Sequence, residues 1–148
     1  MFDFKYNIIK RAKHAIICAF IGDALGSILE FSSQTDAKKI IANNSYFENG
    51  LVRQGPFNLE PGQVTDDTEM SLANLSVINE SGSYNQELVA EAYHNWYLSK
   101  PFDIGNTISN AVRKTSAYEM IITAQKYNKG SLSNGFFDEI ARHRRILL

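Results

Sequence analysis

Ile8, Ile9, Ala12, Ala15, Ile16, Ala19 and Phe20 recur at helical spacing, and Ile17 and Ile21 widen the stripe until the segment is apolar nearly all round. A helix of that kind is expected to be buried on every side. Gly22 and Gly26, four residues apart, fall on one of its faces. In a helix interior each costs about 1 kcal/mol relative to alanine, and together they would let another backbone approach closely. A short second helix is expected over residues 36–41. Residues 43–64 then lose the apolar period and turn to Asn, Gly, Pro, Gln and Phe, the composition of a long surface loop.

Helical patterning resumes at Asp66, with Met70, Ala73 and Val77 on one stripe, Leu72, Leu75 and Ile78 beside it, and Gly82 as the stop. Ser83 and Gln86 resemble a capping box for the next helix, whose stripe is Leu88, Val89, Ala92, Trp96 and Tyr97 and which Pro101 ends. A fourth segment carries Ile108, Ala111 and Val112. A fifth, opened by Ser116 and Glu119 as a capping box, carries Met120, Ile121, Ala124 and Tyr127 before Gly130. Residues 136–147 are amphipathic again. Nothing alternates with a two-residue period between hairpin signals, so the expected fold is all-α, a compact helical bundle over residues 1–148 in one domain with no linker or repeat.

The composition of the 148 residues, 44% hydrophobic and 21% charged, is that of a globular chain with a core. A formal net charge of -1 recommends neither nucleic acid nor a membrane surface as partner, and the basic run Arg142, His143, Arg144 and Arg145 reads as a solvated face. Cys18 alone makes no disulfide framework; it points to a reducing compartment and, in its apolar run, to the core. Residues 15–21 after Lys10, Arg11 and Lys13 loosely imitate a signal peptide, but the run is short and Asp23 breaks it two residues later. By this count no segment reaches the roughly 18 apolar residues that a bilayer span demands. A soluble protein of the cytoplasm or nucleus is expected.

Thr65, Asp66, Asp67, Thr68 and Glu69 follow the Pro61-Gly62 turn and crowd three carboxylates and two hydroxyls onto one helix start. Capping accounts for this in one reading: Asp66 with Glu69 forms a capping box, and the helix dipole favours each acid by about 0.3–1 kcal/mol. In the other, a cation relieves the repulsion of adjacent carboxylates, and an all-oxygen donor set suits magnesium, manganese or calcium rather than zinc. Asp23, directly after the apolar run, reads as a satisfied structural carboxylate. Glu30, seven residues on and on nearly the same helical face, is the better candidate for moving water protons or positioning a substrate. The loop Lys129, Gly130, Ser131, Leu132, Ser133, Asn134 and Gly135 could offer backbone N–H groups to an anion such as a diphosphate, although such loops are common without a ligand. His14, His94 and His143 have no partners at metal spacing and read as structural or surface residues.

In this order, Gly22-Asp23-Ala24-Leu25-Gly26 with Glu30, then residues 61–70, closely resemble the two N-terminal signatures of the ADP-ribosylglycohydrolase family, the dinitrogenase-reductase-activating glycohydrolase-like proteins. Phe102-Asp103-Ile104-Gly105-Asn106-Thr107 is similar to a third family motif, and residues 130–135 to the family's glycine-rich ligand loop, so the resemblance runs from about residue 12 to residue 135. It implies an all-helical domain binding two neighbouring magnesium or manganese ions. Thr65, Asp66 and Asp67 would be metal ligands; Glu30, Asp66 and Asp67 would form the catalytic set; Ser131, Ser133, Asn134 and Gly135 would cradle the diphosphate and ribose of ADP-ribose. The implied reaction is hydrolysis of the glycosidic bond between ADP-ribose and its acceptor, by a metal- or carboxylate-activated water at the anomeric carbon. The partner would be an ADP-ribosylated protein or a small ADP-ribosyl compound.

In the family a later Asp-x-Asp followed by Thr or Ser completes the metal site, and no Asp-x-Asp occurs among these 148 residues. After Gly135 the chain also leaves the family pattern. The expectation is therefore a truncated, N-terminal half of the domain. Two alternatives stand beside the hydrolase: a non-catalytic or vestigial ADP-ribose-binding module, and a half-domain that self-associates or needs a complementing chain.

Overall fold

A computed structural model describes residues 2–43 and 55–127, with side chains from residue 7 onward. Among the described residues there are six α-helices, one 3-10 turn and no strand: α1 (Phe2–Gly26), the turn Ser27–Leu29, α2 (Gln34–Ala42), α3 (Asp66–Ser81), α4 (Gln86–Leu98), α5 (Asn106–Val112) and α6 (Ala117–Tyr127). The all-α expectation holds. The chain forms two compact units, Met1–Thr68 and Glu69–Leu148, and the boundary between them falls inside α3. The amphipathic segment 136–147, the basic run 142–145 and most of the expected surface loop, residues 44–54, lie outside the described residues.

In the first unit, α1 is long because nothing interrupts it: Gly22 is helical and Gly26 keeps φ -68°, ψ -36° before the 3-10 turn. The helix is not buried on every side as its apolar pattern suggests. Ile17 and Ile21 remain 54% and 52% exposed, Ile8 and Ile9 are also exposed, and Cys18, expected in the core, is exposed with them. Residue type creates the demand for burial, but only a partner surface can meet it, and among the described side chains burial here is confined to Ala24 and the turn residues Ser27 and Ile28. A second correction concerns length. Asn7–Leu29 is long and apolar enough, by length and composition, to cross a membrane. An uninterrupted apolar run does not capture this, because the many Ile, Ala and Leu residues on both sides of the single Asp23 keep the mean hydropathy at 1.4 despite the interruption.

The glycines also differ from expectation. Nothing comes within 4 Å of a Cβ placed on Gly22 or Gly26. The close approach is at Gly55, whose φ is +89° and whose added Cβ would lie 2.9 Å from Ile28 Cα and 3.1 Å from the Ser27 carbonyl oxygen. Phe57, two residues on, sets its ring edge-on against Phe31 at 6.1 Å. α2 starts earlier than residue 36 because Ser33 caps it: the Asp36 N–H donates to Ser33 Oγ at 3.2 Å, and Ser33 Oγ donates back to Asp36 Oδ2 at 2.7 Å.

The second unit is built on a core of Met70, Val89, Ala90, Tyr93, Ile108, Ala111, Val112, Ala117, Met120 and Ala124, with Ala73, Val77, Trp96, Tyr97 and Ile104 packed against it. The buried face of α4 is Val89, Ala90 and Tyr93 rather than one including Leu88, which is exposed. Its cap is Asn85, whose Oδ1 accepts from the N–H groups of Glu87 and Leu88, and not Ser83 with Gln86. Ser116 caps α6 as expected, accepting the Glu119 N–H on its Oγ at 3.3 Å, and its pairing with Glu119 runs through the hydroxyl, which donates to Glu119 Oε2 at 3.1 Å. Glu87 adds a second cap by accepting the Ala117 N–H at 3.0 Å. His94 is structural, as expected: its Nδ1–H donates to the Val112 carbonyl at 2.8 Å. Burial pushes the Tyr93 hydroxyl above the usual tyrosine range; Tyr84 adds to the rise and a side-chain bond to Asn74 opposes it.

Candidate functional site

The site is assembled within the first unit by a turn, a helix start and a carboxylate from far along the chain. Glu60 to Gln63 form a tight turn, with the Gln63 N–H on the Glu60 carbonyl at 2.9 Å and Gln63 Oε1 accepting the Glu60 N–H at 3.1 Å. Pro61 followed by Gly62 at φ +81° is the residue pair that a type II turn demands. That turn delivers Thr65, Asp66, Asp67 and Thr68 to the first turn of α3, with Thr65, Asp66 and Thr68 only 4%, 6% and 3% exposed, while Asp67 is exposed.

Asp23, near the end of α1, holds this start in place. Its Oδ2 accepts the backbone N–H of Thr65 at 2.9 Å and of Thr68 at 3.2 Å, and its Oδ1 accepts the Thr65 hydroxyl proton at 2.6 Å. The structural role read for Asp23 is thus met, by orphan donors of a helix N-terminus that also favours negative charge. Asp23 takes the Thr68 N–H, and Glu69 Oε2 accepts the Trp96 indole N–H at 2.7 Å.

The donor set fits a hard divalent cation in its chemistry. The one proton of the Thr65 hydroxyl is committed to Asp23, so toward anything else that oxygen offers lone pairs only. Two adjacent carboxylates follow it, and Thr68 Oγ1 is buried without a protein partner. Among the described residues no three His, Cys, Asp or Glu side chains converge as a complete metal cluster. A magnesium-type shell takes six oxygens, so Thr65, Asp66 and Asp67 could provide only part of one.

Glu30 sits half-buried as the residue closing the Ser27–Leu29 turn. Asp103, Ile104 and Gly105 lie between α4 and α5 in the second unit; Gly105 caps α5 through its carbonyl, which accepts the Ser109 N–H at 2.8 Å. An open groove of about 390 Å³, lined by Tyr97, Leu98, Lys100, Pro101 and Ile104, runs beside that segment. Ser131, Ser133, Asn134 and Gly135 lie outside the described residues.

The two acidic motifs, one at the end of a helix and one at the start of another, place this all-helical chain in a class that comparison with known proteins defines. The sequence profile of the ADP-ribosylglycohydrolase family matches residues 5–141, and the chain belongs to that family. A protein of Acanthamoeba polyphaga mimivirus that carries the name of an ADP-ribosyl glycohydrolase is 53% identical over 130 residues, 87% of this chain and 39% of the relative. The ADP-ribosyl-dinitrogen reductase glycohydrolase of Rhodospirillum rubrum is 34% identical over 129 residues, 87% of this chain and 42% of its own length. An ADP-ribosylarginine hydrolase of Serratia proteamaculans is 34% identical over 113 residues, 72% of this chain and 28% of the relative. The chain therefore spans about two fifths of the length of the first two of these relatives.

Proposed function

We propose that this chain supplies the N-terminal part of a hydrolase that splits the glycosidic bond between ADP-ribose and a modified protein side chain. The observation that carries the reading is the Thr65-Asp66-Asp67 start of α3, gripped by Asp23, in a chain whose named relatives act on ADP-ribosylated dinitrogen reductase and ADP-ribosylarginine. Thr65, Asp66 and Asp67 would hold magnesium or manganese, as part of a two-ion site whose remaining donors these three residues do not supply. Such ions, when bound, supply Lewis-acid polarisation of oxygen. Glu30 would accept a proton from the attacking water as the water oxygen bonds to the anomeric carbon; the acceptor would leave with the bonding electron pair and take up that proton, which returns Glu30 to its carboxylate. The products are ADP-ribose and the unmodified side chain. Ser131, Ser133, Asn134 and Gly135 would bind the diphosphate and ribose through backbone N–H groups.

We read α1 as a helix of a soluble domain rather than a membrane span, since Asp23 within it is tied to the start of α3 by three hydrogen bonds. Its exposed isoleucines favour a second reading beside the catalytic one, that of a half-domain that self-associates or takes a complementing chain. Incubation with ADP-ribosylated arginine and serine peptides, with and without magnesium, tests the activity: release of ADP-ribose is expected only with the metal and a complementing fragment.

A further inference from the structure

We propose that Asp23 is a positioning residue of the cation site, acting through Thr65 rather than touching cation or substrate itself. The inference rests on reading Thr65, Asp66 and Asp67 as oxygen donors to a divalent ion. A threonine hydroxyl can turn about its C–O bond and can give a hydrogen bond as readily as receive one, so a threonine left to rotate is a poorly defined ligand. Asp23 Oδ1 removes that freedom by taking the hydroxyl proton at 2.6 Å, which fixes the direction of the remaining lone pairs. Its other oxygen fixes the backbone that carries Asp66 and Asp67, by holding the N–H groups on either side of them at 2.9 and 3.2 Å. One carboxylate thus sets both the orientation of the first donor and the path of the other two. Groups that orient metal ligands in this way commonly change metal affinity by about 10–100-fold when removed.

The test is manganese binding to this chain, followed by electron paramagnetic resonance below the melting temperature, with helix content checked by circular dichroism. Asp23→Asn keeps size and one acceptor but turns an N–H toward the backbone donors. Expected are a loss of manganese affinity of about tenfold or more with helix content retained, a loss for Thr65→Val as well, and a double variant that loses less than the two single losses combined, because the two changes share the Thr65 oxygen while Asp23 alone also holds the backbone. Unchanged affinity in a folded Asp23→Asn variant overturns the positioning role and leaves the cation site standing. Absence of manganese binding to the wild type up to millimolar concentrations overturns the cation reading and the positioning role with it. Should Asp23→Asn fail to fold, Asp23→Glu decides: it keeps a carboxylate for the helix start but displaces the oxygen that takes the Thr65 hydroxyl proton, so lost affinity in a folded variant supports the proposal and unchanged affinity overturns it.

Discussion

Asp23 and Thr65 are joined twice, by the Thr65 N–H on Asp23 Oδ2 at 2.9 Å and by the Thr65 hydroxyl on Oδ1 at 2.6 Å, across 42 positions of sequence. The pair ties the end of α1 to the start of α3, so the helix that carries the candidate ligands is capped by another helix. Replacing Asp23 by alanine leaves the Thr65 and Thr68 N–H groups without that acceptor. Loss of a cap of this kind costs about 0.5–2 kcal/mol, and chemical denaturation should place Asp23→Ala toward the upper end of that range.

Asp66→Ala and Asp67→Ala should each weaken magnesium or manganese binding while leaving helix content nearly intact. Asp23 already accepts the Thr65 and Thr68 N–H groups at this helix start, so the fold there does not depend on two further adjacent acids. Calorimetry paired with circular dichroism checks this. Equal loss of helix and of metal affinity would mean that the acids serve the fold.

Glycine substitutions should separate by position. At Gly55 a Cβ meets Ile28 Cα at 2.9 Å and φ is +89°, so Gly55→Ala should destabilise the chain by more than about 1 kcal/mol. Gly22→Ala and Gly26→Ala meet nothing within 4 Å and should each stabilise α1 by up to about 1 kcal/mol. Thermal melts of the three variants decide it.

Tyr93 links stability to alkaline pH. Its hydroxyl is held above the usual range by burial, whereas in the unfolded chain it ionises near pH 10, so above that pH the unfolded state binds fewer protons than the folded one. Stability should be unaffected by this group below about pH 10 and fall by about 1.4 kcal/mol per pH unit above it. Tyr93→Phe should remove that part of the slope in denaturation series at pH 9 to 11.

Much of this architecture is legible in local chemistry. The Pro61-Gly62 pair announces its turn, and Ser116 with Glu119 the start of α6, because each depends on neighbours within a few residues. The cap by Asp23 and the tight contact of Gly55 with Ile28 depend on residues brought together from far apart, and no local pattern encodes them. The exposure of Ile17 and Ile21 is hidden for a related reason: periodicity reveals which side chains seek burial, not which surface, if any, covers them.

The central claim is that this chain holds one part of a metal-dependent ADP-ribosyl hydrolase site, and complementation tests it most directly. ADP-ribose release from an ADP-ribosylated arginine peptide would be measured with magnesium, for the chain alone and mixed with a C-terminal family fragment carrying the Asp-x-Asp motif. The account predicts negligible release by the chain alone, release by the mixture, and loss of that release with Asp66→Ala. Turnover by the chain alone at a rate typical of enzymes, about 1 per second or faster, would contradict it, as would a mixture that binds together and still releases nothing.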